Sequence, residues 1–320
     1  MRAVRFHEHG DPDVLQVEEI ETPTPGAGEI RVEVRATSVN PVDTYLRSGA
    51  FQPPTMPAIP GKDFAGVVDE TGPGVTEYAP GDRVFGSNLG TGTHGATAEF
   101  MLTPTEQVAR LPEDVSFETA GVTGVAAMTP WRALIDHAAL EPGEYCLIHG
   151  GNGGVGHVGV QIAAGLGSRV ITTARPRYHD RLSDLGAYAV LDYDRDDLAT
   201  AINETAEQPP SVVVDHRLEE YLQLDCDVAA HGARIVLYRN RHDEAKFTDL
   251  HSVGGKELQF NVMSSTNAPE LSESLSRIGR LLSDGWLDIE IADTYRFSEL
   301  PEAHSRVREG SFFGKLAVVP

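Results

Sequence analysis

Two textures of apolar and polar positions divide the chain. Up to about Leu111, apolar residues alternate with polar ones or gather in short β-branched runs. MRAVRF, LQVEEI, EIRVEVRA and AGVVDETG are of this kind, separated by TPTPG, PPTMPAIPG and APGD. A period of two interrupted by proline and glycine predicts a compact, loop-rich β domain. Around LPEDVSFETAGVTGVAAMTPWRALID the spacing turns helical, and beyond it strands and helices alternate. YCLIHG, RVITTA, AVLDY, SVVVD, ARIVLY and LQFNVM read as strands; DRDDLATAINETAE and LEEYLQLDCDVAAHG are amphipathic segments between them. Alternation of this kind predicts an α/β fold with a parallel sheet covered by helices on both faces, and six strands suit a doubly wound dinucleotide fold. From about Ser264 the tail adds the helix LSESLSRIGRLLSDG and strand-like pieces ending in GKLAVVP. If the tail returns to the first domain, the second is an insertion. The expected division is 1–122 with 265–320, and 123–264.

The stretch YCLIHGGNGGVGHVGVQ (145–161) carries the first chemistry. A buried strand runs into Gly151, Asn152, Gly153, Gly154, Val155 and Gly156, after which Val155, Val158, Ile162 and Leu166 recur at helical spacing. Glycines permit a tight turn and close approach of a ligand to the backbone, and the new helix offers unpaired N–H groups to a pyrophosphate. The flanking strand, helix and next strand RVITTA make this a dinucleotide site rather than a bare structural turn. That next strand ends in Thr172, Thr173 and Ala174, followed by Arg175-Pro176-Arg177-Tyr178. No carboxylate stands at its tip to hold a ribose diol, and arginine offers fork geometry to a 2′-phosphate. The expected coenzyme is therefore NADP(H), with Arg175 its contact; Arg177 reads equally as a solvated helix start.

Composition narrows the class. The 320 residues are 40% hydrophobic, enough for a full core and for two domains. MRAVRFHEHG holds no apolar run of signal-peptide length, and no segment approaches a membrane span. With only Cys146 and Cys226, neither a disulfide framework nor a four-cysteine zinc lobe is available, so a reduced cytoplasm is expected. Net charge is −22, and Lys62, Lys246, Lys256 and Lys315 are the only lysines. So anionic a surface repels phosphate backbones, which argues against nucleic acid as a partner. Adaptation to high salt is the reading taken, beside that of an acidic mesophilic enzyme.

Eight motifs together identify a family: SVNPVDTYLRSGAF (38–51), IPGKDFAGVV (59–68), GDRVFG (81–86), TPWRAL (129–134), HGGNGGVG (149–156), LGAYAVLDY (185–193), GARIV (232–236) and FGKLAVV (313–319). Over nearly its whole length the chain resembles the zinc-independent quinone oxidoreductase (zeta-crystallin-like) branch of the medium-chain dehydrogenase/reductase superfamily. The resemblance implies a GroES-like β domain plus a Rossmann domain, with the coenzyme in the cleft between. It implies that Tyr193 packs beside the adenosine 2′-phosphate, that Thr129 lies on the nicotinamide side and that Tyr238 closes the nicotinamide pocket. Each has a plainer reading, as a strand, helix or core residue respectively. The resemblance also implies a homodimer formed through the last Rossmann strand, around Leu258 to Met263. Asp215-His216-Arg217-Leu218-Glu219 departs from the family, which has small residues there, and Tyr238-Arg239-Asn240 stands where a glycine is common.

Zinc members of the superfamily hold the metal with a cysteine and a histidine at the positions of Asn40 and Lys62. An ammonium has no lone pair and an amide oxygen is a poor zinc ligand, so a metal is not expected. His7 and His9, two apart on one strand, read as surface residues. Without a Lewis acid, a saturated alcohol is a hard substrate, whereas a quinone or an α,β-unsaturated carbonyl accepts hydride directly. Candidates around the reacting centre are Asn40, Tyr45 and Lys62, with Asn40 and Tyr45 placed nearest by the resemblance. Asn40 would orient coenzyme or substrate, Tyr45 would donate to the reduced oxygen, and Lys62 would lend positive charge or pair with Asp63. Asp43 and Arg47 are expected to form a structural ion pair. An enoyl-thioester reductase and a non-catalytic NADPH-binding protein stay open; the first wants a basic groove, and the family includes lens crystallins. The salt reading has a direct check: stability against unfolding should rise with KCl concentration, and equal stability in dilute buffer and molar salt would reject it.

Overall fold

The alternating N-terminal segments form strands because each can turn one row of apolar side chains inward. In the computed structural model, which describes residues 1–88, 95–238, 245–263 and 271–320, β1 (Arg2–Arg5) and β2 (Gln16–Glu19) pair as an antiparallel ribbon. Arg239, Asn240 and the expected boundary at 264–265 lie outside the described residues. Five further strands follow: β3 (Glu29–Val39), β4 (Asp63–Thr71), β5 (Arg83–Ser87), β6 (Phe100–Pro104) and β7 (Val108–Arg110). Ile30, Val32 and Val34 of β3 point into a cluster with Phe64, Val68, Val84, Met101 and Val108. Burying each such side chain contributes about 1.5–3 kcal/mol before entropy is counted.

The second texture gives β8 (Tyr145–Ile148), β9 (Arg169–Thr173), β10 (Ala189–Leu191), β11 (Val212–Asp215), β12 (Arg234–Leu237) and β13 (Gln259–Val262). All six are the strands expected from sequence. They pair in parallel in the order β10-β9-β8-β11-β12-β13. The order reverses between β8 and β11, and at such a reversal the loops beyond the strand ends open a ligand crevice. Two more strands, β14 (Ile291–Arg296) and β15 (Lys315–Val319), belong to the first sheet, whose order is β14-β15-β3-β4-β5-β7 with β6 also on β3. By its contacts the chain divides into two units, Met1–Met128 with Thr266–Pro320, and Thr129–Ser265.

The helices that matter below are α1 (Pro41–Ser48), α2 (Phe117–Gly121), α3 (Thr123–Trp131), α4 (Gly156–Gly165), α5 (His179–Asp184), α6 (Leu198–Thr205) and α7 (Leu218–Val228). After them come α8 (Leu250–Val253), α9 (Ser272–Ser283) and α10 (Leu300–Glu309). One turn of π-helix, Arg132–His137, follows the proline at position 130 inside α3. A proline removes one rung of the hydrogen-bond ladder, and a wider turn accommodates the loss. Helix α10 adds an element where short strand-like pieces were expected. Its Pro301 in the first turn and Gly310 at the left-handed C-cap are the ordinary start and stop signals of a helix. Among the described residues no helix is long and apolar enough to cross a membrane.

Candidate functional site

The glycine turn is shaped by what a side chain would strike. Gly150 takes φ +70°, a left-handed conformation costly for other residues. A Cβ on Gly151 would meet the Thr172 hydroxyl, and one on Gly156 would meet the carbonyl of Gly150, so helix and strand pack at glycine distance. The turn is pinned by Gly151 N–H to the Thr173 carbonyl (2.8 Å) and Gly153 N–H to that of Gly150 (3.0 Å). Gly154 and Val155, by contrast, send their N–H groups to no acceptor among the described residues. These are the amides at the opening of α4, ten residues long, where the backbone carries partial positive charge.

At the tip of β9 the Arg175 Nε–H donates to the Tyr193 hydroxyl at 3.0 Å, so the two expected 2′-phosphate residues stand together. Arg177 instead lies over the Tyr178 ring, 4.7 Å from its centroid. Beyond β12, Tyr238 stacks on His216 with centroids 6.0 Å apart, and the His216 ring packs against the Cα face of Gly150. The bulky residues that depart from the family are thus folded onto the glycine turn itself. Thr129 is buried in α3. These residues suit a phosphorylated dinucleotide: unpaired amides for the diphosphate, and a guanidinium without a competing carboxylate at the strand tip.

The other expected residues meet in the first unit around Asp63, which is fully buried. Its Oδ2 accepts from Ser38 Oγ (2.6 Å), Asn40 Nδ2 (2.8 Å) and Lys315 Nζ (3.4 Å). Its Oδ1 accepts from the Val125 N–H (2.6 Å) and Ser87 Oγ (3.1 Å). The Lys315 ammonium also donates to Asn40 Oδ1. Both ends of the Asn40 amide are therefore committed inside the network, which holds the residue in place. Next to it, Asp43 accepts from the Asn40 N–H (2.8 Å) and the Gly61 N–H (3.0 Å). Burial pushes the Asp43 carboxyl up to about 6, against those two amides and the charge of Lys62.

The expected Asp43–Arg47 ion pair is corrected here. Arg47 donates to the Gly10 carbonyl, while the carboxylate of Asp43 serves backbone amides at the start of α1. Nor does Lys62 bond to Asp63, whose oxygens are already taken. Its half-buried ammonium has no hydrogen-bond acceptor among the described residues; burial lowers its pKa, opposed by the charges of Asp43 and then Asp63. Tyr45 is half-buried and meets the Phe51 ring edge to face at 5.5 Å. Lys315 and Asp63 as network hubs escaped the sequence reading, although both sit in quoted motifs. The available signal was a charged residue opening or standing within an otherwise apolar strand, as in GKLAVV and KDFAGVV. Among the described residues no three His, Cys, Asp or Glu side chains converge as a metal centre.

Known proteins share this arrangement of sequence and fold. Residues 26–113 match the alcohol dehydrogenase GroES-like domain, and residues 185–318 match the zinc-binding dehydrogenase family. The human quinone oxidoreductase is 31% identical over 316 residues, covering 97% of this chain and 95% of that protein. The Escherichia coli quinone oxidoreductase complexed with NADPH superposes with a TM-score of 0.89 at 27% identity, covering 100% of both chains. An NAD-dependent alcohol dehydrogenase superposes with a TM-score of 0.90 at 28% identity, again over 100% of both.

Removing one member of the Asp63 network should leave the others buried and unpaired. Asp63→Ala is expected to lower stability by about 3–5 kcal/mol in urea unfolding, the usual range for breaking a buried ion pair. Adding Lys315→Met should recover part of that loss. An Asp63→Ala protein within about 1 kcal/mol of the parent would show that the network does not hold the fold.

Proposed function

The chain belongs to the quinone oxidoreductase family of the medium-chain dehydrogenase/reductase superfamily, and from that premise we propose that it reduces quinones or activated α,β-unsaturated carbonyls with NADPH. The observation that carries the reading is the pairing of unpartnered amides at Gly154 and Val155 with the Arg175–Tyr193 contact at the tip of β9. Bound NADPH supplies the hydride. The chain's part is to hold the dinucleotide on those amides and to receive its 2′-phosphate at Arg175 and Tyr193. Thr129 and Tyr238 border the nicotinamide end.

A quinone that takes up one hydride and one proton becomes a hydroquinone, so charge must be met at its oxygen. Tyr45 donates a hydrogen bond to that oxygen, and Lys62, whose ammonium has no competing acceptor among the described residues, lends positive charge. Asn40 contributes through position, since Lys315 and Asp63 hold its amide. The same commitment supports a reaction without metal. The oxygen of Asn40 and one oxygen of Asp63 already face an ammonium, and a charged lysine at position 62 offers no lone pair.

We also propose that two copies assemble through β13. It forms the outer edge of its sheet, bonded among the described residues to β12 alone, and shows Phe260 39% and Val262 74% exposed. An uncovered apolar edge strand is a template for pairing, and a second β13 satisfies it. Light scattering should give a mass of twice 34.5 kDa, falling to the monomer in Val262→Asp; a monomeric parent would reject the interface.

Absorbance of reduced nicotinamide tests the activity. NADPH should be consumed with quinones or enals, faster than NADH, and activity should survive dialysis against a chelator. Tyr45→Phe should lower kcat about tenfold, roughly the 1.4 kcal/mol of one donor. No oxidation with any acceptor would favour a binding-only protein, and a loss of several orders of magnitude would give Tyr45 another role.

A further inference from the structure

Beneath the glycine turn lies a cluster of ionisable groups for which the reaction above has no use. His149, the last residue before Gly150, points its Nε2–H at Asp225 Oδ1 of α7, at 2.8 Å. Its ring stacks on Tyr221, centroids 4.2 Å apart and planes at 11°. On the far side its Nδ1 lies 3.4 Å from the Thr173 hydroxyl, and that hydroxyl accepts the Gly150 N–H at 3.1 Å. Asp215, ending β11 at the reversal of strand order, accepts the Arg217 N–H at 2.7 Å. His149, Asp225 and Asp215 are all buried, and each carboxylate leaves its Oδ2 without a hydrogen-bond partner among the described residues. A buried imidazole–carboxylate pair is thus joined by one hydroxyl to the backbone of the turn, and a second buried carboxylate ends the strand paired beside it.

We propose that His149, Asp225 and Asp215 form a positioning cluster for the coenzyme, whose proton content is coupled to dinucleotide binding at the glycine turn. The argument rests on the coenzyme reading given above. An anion settling on the amides after Gly150 disfavours negative charge beneath them, so binding drives the cluster to take up a proton. Burial, then the charge of Asp225, push the Asp215 carboxyl up to about 7, with His149 and the amides of Arg217 and His216 opposing. For His149, burial resists charging, but Asp225 and Asp215 outweigh it and its pKa rises. Asp215 is therefore a neutral carboxylic acid below neutrality. As pH rises through 7, Asp215 ionises, one negative charge is added beneath the turn and affinity for an anionic ligand falls. Tyr221, Tyr193, Arg217 and Glu220 act on the same region; Tyr221 is pushed up to about 12, chiefly by burial, and stays neutral throughout.

Calorimetric titration of the full chain with NADPH, repeated at pH 7 in buffers of different ionisation enthalpy, counts the protons exchanged. The 2′-phosphate contributes equally to parent and variant, so the difference between them isolates the cluster. Asp215→Asn keeps the oxygen that accepts the Arg217 amide but cannot ionise. The parent is expected to take up more protons than this variant, by about half a proton at pH 7. The Kd of the parent should rise several-fold more between pH 6 and pH 8.5. Asp225→Asn, which removes the partner of His149, should shift the pH at which the parent's affinity falls, and serves if Asp215→Asn does not fold. Equal proton exchange and parallel pH profiles in parent and variants would overturn the cluster while leaving the coenzyme reading intact. No NADPH binding by the parent would overturn both.

Discussion

A single carboxylate ties together segments that the chain keeps far apart. Asp63 receives donors from β3 (Ser38), from the residue opening α1 (Asn40), from β5 (Ser87), from α3 (Val125) and from β15 (Lys315). Burying a carboxylate and an ammonium costs several kcal/mol each, and only saturation with hydrogen bonds offsets that. Here the saturation is geometric information. Each donor reaches Asp63 only if its own element is correctly registered, including a C-terminal strand 252 positions later. The interaction therefore specifies which strands neighbour one another more sharply than apolar packing does, since apolar side chains tolerate rearrangement.

The second unit solves its positioning problem by the opposite means. Side chains are removed where the first unit adds them: Gly151 and Gly156 let strand β8, the turn and α4 approach at distances any Cβ would prevent. Rigidity then comes from the backbone and from beneath, through the Thr173 hydroxyl that accepts the Gly150 amide and faces the His149 ring. A ligand held by main-chain amides gains orientation without flexible contacts that must be ordered on binding.

The sheet of the second unit was legible because parallel strands buried on both faces are unbroken apolar runs, such as CLI and VVV. The glycine spacing then fixed where the helix after β8 begins. Helix α10 was legible in principle through Pro301 and Gly310, but its buried face is only Leu300, Ala303 and His304, too few apolar positions to show a period. His304 is instructive: burial, with Arg47 nearby, pushes it down to about 3, so it packs as a neutral ring. A sequence pattern scores it as polar. The Asp63 network was hidden for a different reason. The donors to Asp63 come from five separate elements, and no local spacing announces that Ser38, Ser87 and Lys315 will meet. The Asp43–Arg47 expectation failed in the same way, because the backbone amides of Asn40 and Gly61, and not Arg47, turned out to be the partners of Asp43.

Charge usage links these interior arrangements to the surface. Of four lysines in a chain of net charge −22, Lys315 is buried in the network and Lys62 is half-buried beside it. Lys256 gathers the carbonyls of Cys226, Asp227 and Ala229 at 2.7, 2.8 and 3.0 Å where α7 ends. A compact ammonium with three donors can serve several acceptors converging from different directions, and at a helix C-terminus it also meets the negative end of the dipole. Guanidinium, planar and forked, suits the exposed pairs such as Arg31 with Asp69 and Glu70, and Arg110 with Asp82. Two of the four lysines thus organise backbone or buried oxygens, and arginine supplies most of the other cations. An anionic shell and a coenzyme carrying phosphates would repel each other, so the cations that remain must be placed where the anion lands. Arg175, held against Tyr193 at the tip of β9, is the cation to which the proposed function gives that place.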